Sequence, residues 1–202
     1  MTEILQPAAE ADFPCRFGHF RIYGFEAQEN GRREEVVALL LGDLAAPGPA
    51  PLVRIHSQCL TGDVFGSLRC DCRSQLEMAL EQIAREGRGL LVYEAEEGRG
   101  IGLVNKLKAY QLQDAGADTV EANQQLGFDA DLRTYQVAAA ILRHFGLARV
   151  RLLSNNPDKI RALEDGGIRV EERVPCQPPT APRTTAYLKT KKKKLGHLLE
   201  GV

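Results

Sequence analysis

The chain has 202 residues and a mass of 22.2 kDa, with 44% hydrophobic and 26% charged residues, which predicts one soluble domain over residues 1–202 rather than a repeat array or coiled coil. Lysine and arginine total 26 against 27 acidic residues, for a formal net charge of −1. This balance argues against the broad basic face that bulk nucleic-acid binding needs.

The N-terminus has neither a basic start nor a long apolar run, so we expect no signal peptide and no membrane contact. The five cysteines are an odd number in a chain too long for a small disulfide-framework protein. They therefore indicate free thiols and a cytoplasmic protein.

The first third of the chain is predicted to be rich in β-structure. Residues 19–25 alternate in polarity, and the apolar runs 36–41 and 52–55 are separated from them by Gly, Pro and Asn, so all three are predicted strands. From Ser74 the apolar spacing changes to that of a helix, which ends at Gly87.

The rest of the chain alternates strands with helices. Residues 89–93 form a predicted strand, followed by a glycine-rich turn at 97–102 and a helix through Tyr110. Further predicted elements are a helix around 137–145, a strand at 150–153, a helix from Asp158, a strand at 168–174, a loop at 177–185 and a terminal helix at 186–199. This order predicts a layered α/β/α fold with a mixed sheet and a β-rich N-terminal part.

Three cysteines stand in the pattern Cys-x10-Cys-x-Cys at Cys59, Cys70 and Cys72. Thiolates suit zinc, and three protein ligands are typical of a catalytic zinc that leaves one position for water. His56, Cys15 or Cys176 could instead supply a fourth ligand and close the site. For Cys15 and Cys176 we expect ordinary buried thiols.

Two turns between a strand and a helix are candidate phosphate-binding features. Residues 97–102 (Glu-Gly-Arg-Gly-Ile-Gly) and residues 154–159 (Ser-Asn-Asn-Pro-Asp-Lys) both place backbone N–H groups and a cation at a helix start, where anions are favoured. A glycine turn that serves only strand-to-helix geometry is the alternative.

Other charged residues have simpler interpretations. Asp131 and Arg133 fit a helix N-cap and a solvated arginine as well as a catalytic pair. The run Lys191–Lys194 is interpreted as a solvated helix face, with a phosphate or nucleic-acid contact as the alternative. His144 and His197 are expected to be surface or packing residues in helices.

Six segments in order, over about residues 15–200, resemble GTP cyclohydrolase II. They are Arg-Ile-His-Ser-Gln-Cys-Leu-Thr-Gly-Asp (54–63), Arg-Cys-Asp-Cys (69–72), Glu-Gly-Arg-Gly-Ile-Gly-Leu (97–103), Asp-Thr-Val-Glu-Ala-Asn (118–123), Leu-Gly-Phe (126–128) and Leu-Ser-Asn-Asn-Pro (153–157).

The resemblance implies hydrolysis of GTP to a diaminopyrimidinone ribosyl phosphate, formate and pyrophosphate, the first step of riboflavin synthesis. It implies zinc on the three cysteines, Mg²⁺ with the triphosphate, and a homodimer. It further implies that Arg133 is the nucleophile toward the α-phosphoryl group, that Asp131 is the general base, and that Tyr110 orients the zinc-side chemistry.

The resemblance also implies a set of GTP contacts. They are Arg54, His56, Gln58, Gln75, Glu97, Gly98, Arg99, Thr119, Ser154 and Lys159. Gln58 stands where the family usually has Glu, Arg73 where it has Gly, Glu96 where it has Gln, and Ser154 where it has Thr. A paralogue that opens another purine nucleotide or gives a different product, and a non-catalytic zinc or nucleotide-binding module, are the alternative functions.

Overall fold

The computed structural model describes residues 3–29, 31–179 and 184–201. Seven strands form one mixed sheet in the order β1-β2-β3-β5-β4-β6-β7. The strands are β1 (Glu3–Cys15), β2 (Gly18–Glu29), β3 (Arg32–Leu41), β4 (Leu52–Ser57), β5 (Gly89–Glu94), β6 (Arg149–Leu153) and β7 (Arg169–Val174). The helices are α1 (Cys72–Glu86), α2 (Leu103–Asp114), α3 (Thr119–Gln125), α4 (Gln136–His144), α5 (Pro157–Asp165) and α6 (Thr185–Leu195).

Strands β1, β2 and β3 form an antiparallel meander, which confirms the predicted β-rich N-terminal part. β1 was not predicted, because Pro7 and Pro14 interrupt its pattern. A proline cannot donate to a strand ladder and is tolerated at the edge of a sheet. β1 is that edge strand, and its pairing with β2 shifts register on both sides of Pro7.

Strands β5, β4, β6 and β7 run parallel, so their carboxyl ends meet at one edge of the sheet. Helix α1 connects β4 to β5, and it ends at Gly87, whose φ of 72° is the left-handed conformation that glycine adopts without strain. In open parallel sheets, ligands bind outside this carboxyl edge.

Helices cover both faces of the sheet. Ala79 and Ile83 of α1 pack against Leu52 and Leu91 on one face. On the other face, helices α4 and α5 pack against apolar side chains of β2 to β6, among them Val53, Ile55, Leu90 and Val92. Burial of each large apolar side chain stabilises the fold by about 1.5–3 kcal/mol. The predicted α/β/α layering is confirmed.

Besides β1, two further features differ from the predicted elements. Helix α3 was missed, although Asp118 accepts hydrogen bonds from the N–H groups of Val120 and Glu121 while Glu121 accepts one from Asp118, a capping box at its start. The terminal helix ends at Leu195 rather than Leu199, because Gly196 takes a left-handed φ of 64°. Residues 180–183 of the predicted loop lie outside the described residues.

Within the described ranges, no helix has both the length and the apolar character needed to cross a membrane.

Candidate active site

A cleft opens at the carboxyl ends of β4, β5 and β6 and encloses about 1050 Å³, counting space open to solvent. Every site residue predicted from the sequence lines it except Asp131, which bonds to the lining residue Arg133. The lining residues that were predicted are Arg54, His56, Gln58, Cys59, Cys70, Cys72, Gln75, Glu97, Gly98, Arg99, Tyr110, Thr119, Arg133, Ser154 and Lys159. Segments far apart in sequence therefore converge as expected.

The three predicted metal ligands come together at one end of the cleft. The Sγ atoms of Cys59, Cys70 and Cys72 lie within 4.8 Å of one another, with 3.7 Å between those of Cys59 and Cys70. Neither His56 nor Cys176 belongs to this group: the Nε2 atom of His56 lies 3.2 Å from the Asp63 carboxylate, and the Cys176 thiol donates to the Gln75 carbonyl. The group could hold a metal through three thiolates.

Gly62 makes room for the sulfur atoms. A Cβ at this position would lie 2.9 Å from Cys70 Sγ, which is closer than such atoms approach, and 3.0 Å from Cys59 Sγ, which is an unusually tight contact. Gly62 lies in the single helical turn Leu60–Val64 that follows the first cysteine. This turn wraps the backbone around the cluster, as a binding site for a small ion requires.

The charges in the cluster also fit a cation. Hydrogen bonds from Cys70 and Cys72 lower the pKa of Cys59, and the ammonium of Lys106, 3.1 Å from Cys59 Sγ, lowers it further. The Cys59 sulfur in turn raises the pKa of Cys70 to about 11. The pKa of Cys59 is thus lowered while those of Cys70 and Cys72 are raised, because the three sulfurs compete for negative charge. A divalent metal ion stabilises all three thiolates.

A polar network beneath the cluster fixes the first cysteine. The Asp63 carboxylate accepts the Cys59 backbone N–H at 3.0 Å and the Tyr93 hydroxyl at 2.9 Å. Burial lowers the pKa of His56 to about 4, so its ring is neutral at pH 7 and stacks on Tyr93. The network holds the metal loop against β4 and β5.

Tyr110 lies beside the metal cluster, as predicted. Its hydroxyl is 3.1 Å from Thr61 Oγ1, and the Thr61 oxygen is 3.7 Å from Cys59 Sγ. The Arg69 guanidinium lies 4.7 Å from the centre of the Tyr110 ring. A phenol at this place can orient a polar group of a ligand bound next to the metal.

Asp131 and Arg133 form a bidentate ion pair. The Nε and Nη2 atoms of Arg133 donate to the two Asp131 oxygens at 2.9 and 2.6 Å, and Nη1 donates to Ser57 at 3.2 Å. Burial opposes the charge on each group, but the pairing outweighs it on both sides. The pKa of Asp131 lies below its usual 3.8, and contact with Tyr135 and Asp131 holds the pKa of Arg133 above its usual value.

The glycine-rich turn joins the metal end of the cleft to this ion pair. The Glu97 carboxylate accepts the Leu60 N–H at 2.6 Å and the Lys106 ammonium at 2.6 Å. Arg99 has a left-handed φ of 63°, which costs a non-glycine residue about 1 kcal/mol or more. Its guanidinium donates to Thr119 at 3.0 Å, and its carbonyl accepts the Leu132 N–H at 3.1 Å.

The turn after β6 forms the other side of the cleft. Asn156 caps α5 by accepting the Asp158 N–H, and Pro157 takes the first helical position, where its fixed φ suits the helix. The Lys159 ammonium donates to the Ile55 carbonyl at 2.8 Å. On β4, Arg54 donates to Gln75 at 2.8 Å, which places both predicted contacts side by side.

Two interpretations from the sequence were wrong. His197 lies beyond the end of α6 and lines the cleft, and the Lys191 side chain is only 12% exposed and lines the cleft as well. The sequence placed Lys191 on a solvated helix face and His197 within the helix as a surface or packing residue. Gly196 breaks that helix and turns the following residues inward.

Several residues that line or support the cleft were not predicted from the sequence. Lys106 could have been found, since it lies one helical turn before Tyr110 and so shares its face of α2. Asp63 carried no such signal, because its partners are on β4 and β5. On the C-terminal segment, the unpredicted residues that line the cleft are Tyr187, Lys191 and His197.

Known proteins are similar over most of the chain. The profile of the family "GTP cyclohydrolase II" matches residues 6–175. "GTP cyclohydrolase-2" of Buchnera aphidicola is 51% identical over 195 residues, covering 96% of this chain and 99% of that protein. "GTP cyclohydrolase-2" of Shewanella amazonensis is 53% identical, covering 95% of this chain and 92% of that protein.

Longer relatives also match. "Riboflavin biosynthesis protein RibBA" of Bacillus subtilis is 52% identical over 98% of this chain, which spans 50% of that protein's length. The chain therefore covers about half of the RibBA relatives. A solved structure of RibBX, a two-domain 3,4-dihydroxy-2-butanone 4-phosphate synthase from A. baumannii, matches with a TM-score of 0.45 and 22% identity, over 84% of this chain and 38% of that one.

Proposed function

Because the chain belongs to the GTP cyclohydrolase II family, we propose that it hydrolyses GTP to 2,5-diamino-6-(5-phosphoribosylamino)pyrimidin-4(3H)-one, formate and pyrophosphate, the first step of riboflavin biosynthesis. The observation that carries the proposal is the convergence of a three-thiolate cluster and a buried arginine–carboxylate pair on one cleft.

Zinc is the proposed metal, held by Cys59, Cys70 and Cys72. Two observations support this choice. The cluster offers three sulfur donors, and Gly62 leaves a space beside the sulfurs that any larger residue would fill. A zinc ion with three protein ligands supplies an activated water at neutral pH for attack on carbon. Tyr110, linked through Thr61 to Cys59, is proposed to orient the reacting part of the purine there.

The phosphoryl chemistry is assigned to Arg133 and Asp131. An Nη atom of Arg133 forms a bond to the α-phosphorus as the bond from that phosphorus to the bridging oxygen breaks and pyrophosphate leaves. The guanidinium proton passes to Asp131, which is already hydrogen-bonded to it. Water then cleaves the nitrogen–phosphorus bond, the phosphoryl group stays on the nucleoside, and the proton returns to Arg133.

Proton transfer within the resting pair is unfavourable, because the pairing lowers the pKa of Asp131 and raises that of Arg133. Bond formation to phosphorus withdraws electrons from the guanidinium and makes its N–H groups more acidic. Asp131 is therefore proposed to act as a base during the attack and not before it.

The nucleotide is proposed to lie along the cleft between the two centres. The proposed contacts are Arg54, His56, Gln58, Gln75, Glu97, Gly98, Arg99, Thr119, Ser154 and Lys159, all of which line it. Arg99 and Lys159 donate to neutral oxygens of Thr119 and Ile55 and so keep charge available for phosphate. Mg²⁺ is proposed to accompany the triphosphate.

A homodimer is also proposed. Apolar side chains are exposed at the end of the turn Leu60–Val64, on the loop after it and on the neighbouring helix α2: Val64, Phe65, Leu68, Val104 and Leu107. Arg69 bonds to Asp114 of α2, so loop and helix lie together. We call this set the exposed apolar patch, and a second copy would cover it. All five cysteines are free thiols, which supports a cytoplasmic protein.

Product analysis tests the proposed function. The protein is incubated with GTP, zinc and magnesium, and the products are resolved. Formate and pyrophosphate in equal amounts support it. Pyrophosphate without formate, or turnover only of another purine nucleotide, would indicate the paralogue of the same fold. Binding of nucleotide and zinc with no product would indicate a non-catalytic module.

A further inference from the structure

The C-terminal segment forms a wall of the cleft. Lys194 on α6 forms ion pairs with Asp118 and, at 2.9 Å, with Glu121, which fixes α6 to the start of α3. After the helix, the Leu198 N–H donates to the Asn155 carbonyl at 2.8 Å. The segment is therefore attached on one side beside Thr119 and on the other to the turn that carries Ser154.

Lys191 places an ammonium in the cleft near the metal loop. Its Nζ atom lies 4.5 Å from the centre of the Tyr187 ring and 3.7 Å from Asp71 Oδ1. At 3.7 Å the contact with Asp71 is an ion pair that is too long for a hydrogen bond. An ammonium has three donors, so Lys191 keeps hydrogen-bonding capacity for a ligand in the cleft.

His197 lies among cations. Its backbone N–H donates to the Lys191 carbonyl at 3.1 Å, which fixes the residue just past the helix end. Burial lowers the pKa of His197 to about 2, and the charges of Lys191, Arg133, Lys159 and Arg99 lower it further. The ring is therefore a neutral donor in a region of positive charge.

A concentration of cations in a partly buried cleft is costly unless an anion joins it. Asp131 compensates Arg133, and Asp71 compensates Lys191. Arg99 and Lys159 bond to neutral oxygens. The excess of positive charge around His197 matches a ligand with several negative charges.

We propose that Lys191 and His197 are further contacts for the triphosphate of the substrate, so that α6 and the turn after it complete the phosphate site. This inference rests on the proposed function for the identity of the nucleotide. The chemical group that these two side chains would bind is a polyphosphate chain. Lys191 supplies charge, and His197 supplies a neutral N–H donor between the cations on either side of the cleft.

Inorganic tripolyphosphate tests the inference without turnover. Its affinity for the zinc-loaded protein is measured by titration calorimetry for the wild type, Lys191→Gln and His197→Gln. Lys193→Gln on the exposed side of α6 and His19→Gln on β2 are matched controls. We expect Kd to rise about 10- to 100-fold in each test variant and to stay within twofold in each control. Guanosine affinity, zinc content and melting temperature should not change.

Other outcomes overturn the inference. Tripolyphosphate affinity at the wild-type level in both test variants, or no binding to the wild type, would remove both residues from a phosphate site. An equal loss of guanosine affinity would assign them a structural role. If Lys191→Gln fails to fold, Lys191→Arg keeps the charge and should bind tripolyphosphate within about threefold of the wild type, and a larger loss would contradict the proposal. If GTP yields no formate while tripolyphosphate behaves as expected, the proposed function fails and the phosphate contacts stand.

Discussion

Arg133 and Asp131 face each other through two parallel hydrogen bonds, from Nε to Oδ1 at 2.9 Å and from Nη2 to Oδ2 at 2.6 Å. The third guanidinium nitrogen, Nη1, reaches Ser57 at the end of β4. Arg133 lines the cleft while Asp131 stands behind it. The carboxylate thus orients the guanidinium toward the ligand and is already in contact with the proton it would accept.

Replacing Arg133 should separate the two chemistries. In Arg133→Ala we expect pyrophosphate release to fall by about 10³-fold or more, because the proposed nucleophile is gone. Bound zinc should be unchanged, since the Arg133 side chain bonds to Asp131 and Ser57. Arg161→Ala, an exposed arginine on α5, is the control. Pyrophosphate release and zinc content are measured together, and full activity would remove Arg133 from the mechanism.

Gly62 should be required for metal binding. A methyl group there would lie 2.9 Å from Cys70 Sγ and would push the sulfurs apart, so we expect Gly62→Ala to weaken zinc binding by about 10- to 100-fold. Gly24→Ala is the control, because a Cβ on that strand residue meets nothing within 4 Å. Competition with a zinc chelator measures both affinities. Equal affinities for Gly62→Ala and the wild type would show that zinc binding does not need the space that Gly62 leaves beside the sulfurs.

The buried carboxyl of Glu94, at the end of β5, should give the stability a specific pH dependence. Burial raises its pKa from 4.5 to about 8. Between these values the folded protein keeps a proton that the unfolded chain has lost. Its contribution to stability is therefore complete below pH 4.5 and decreases as pH rises toward 8, by at most about 1.4 kcal/mol per pH unit.

Glu94→Gln should remove that decrease. Urea unfolding from pH 5 to pH 8 is compared between the wild type, Glu94→Gln and the control Glu81→Gln, which changes an exposed carboxylate on α1. We expect the free energy of unfolding of Glu94→Gln to exceed that of the wild type more at pH 8 than at pH 5. Parallel curves for the two proteins would mean that Glu94 titrates normally.

The exposed apolar patch should be an interface between two copies of the chain. Phe65 is 73% exposed, and a charge there should oppose burial against a partner, so we expect Phe65→Glu to be monomeric where the wild type is dimeric. Leu198→Glu, a charge at an exposed leucine outside the patch, should stay dimeric. Light scattering after gel filtration gives the masses. A dimeric Phe65→Glu, or a monomeric wild type, would reject this surface.

Local patterns determined which parts of the molecule could be predicted. The spacing of Leu76, Leu80 and Ile83 and the stop at Gly87 predicted α1, and the Cys-x10-Cys-x-Cys pattern predicted a metal cluster whose sulfurs do converge. In contrast, β1 carries prolines that weaken its own signal, and it is stabilised by pairing with β2.

The unpredicted site residues depend on tertiary contacts. Asp63 acquires its role only because β4 and β5 place His56 and Tyr93 beside it. His197 enters the cleft because Gly196 ends α6 early and the chain then bonds to Asn155. A helical pattern in a lysine-rich segment cannot show which of its faces another element will cover.

The most direct test asks whether release of carbon 8 as formate depends on the zinc held by the three cysteines. Zinc is removed from the wild type and from Cys70→Ser, both are reloaded with zinc, and formate from GTP labelled with ¹³C at carbon 8 is followed by NMR beside the zinc content. Cys15→Ser, which lies outside the cluster, is the control. We expect one zinc per chain and restored labelled formate in the wild type and the control, and loss of both in Cys70→Ser. Labelled formate from metal-free protein, or from Cys70→Ser without bound zinc, would contradict the account.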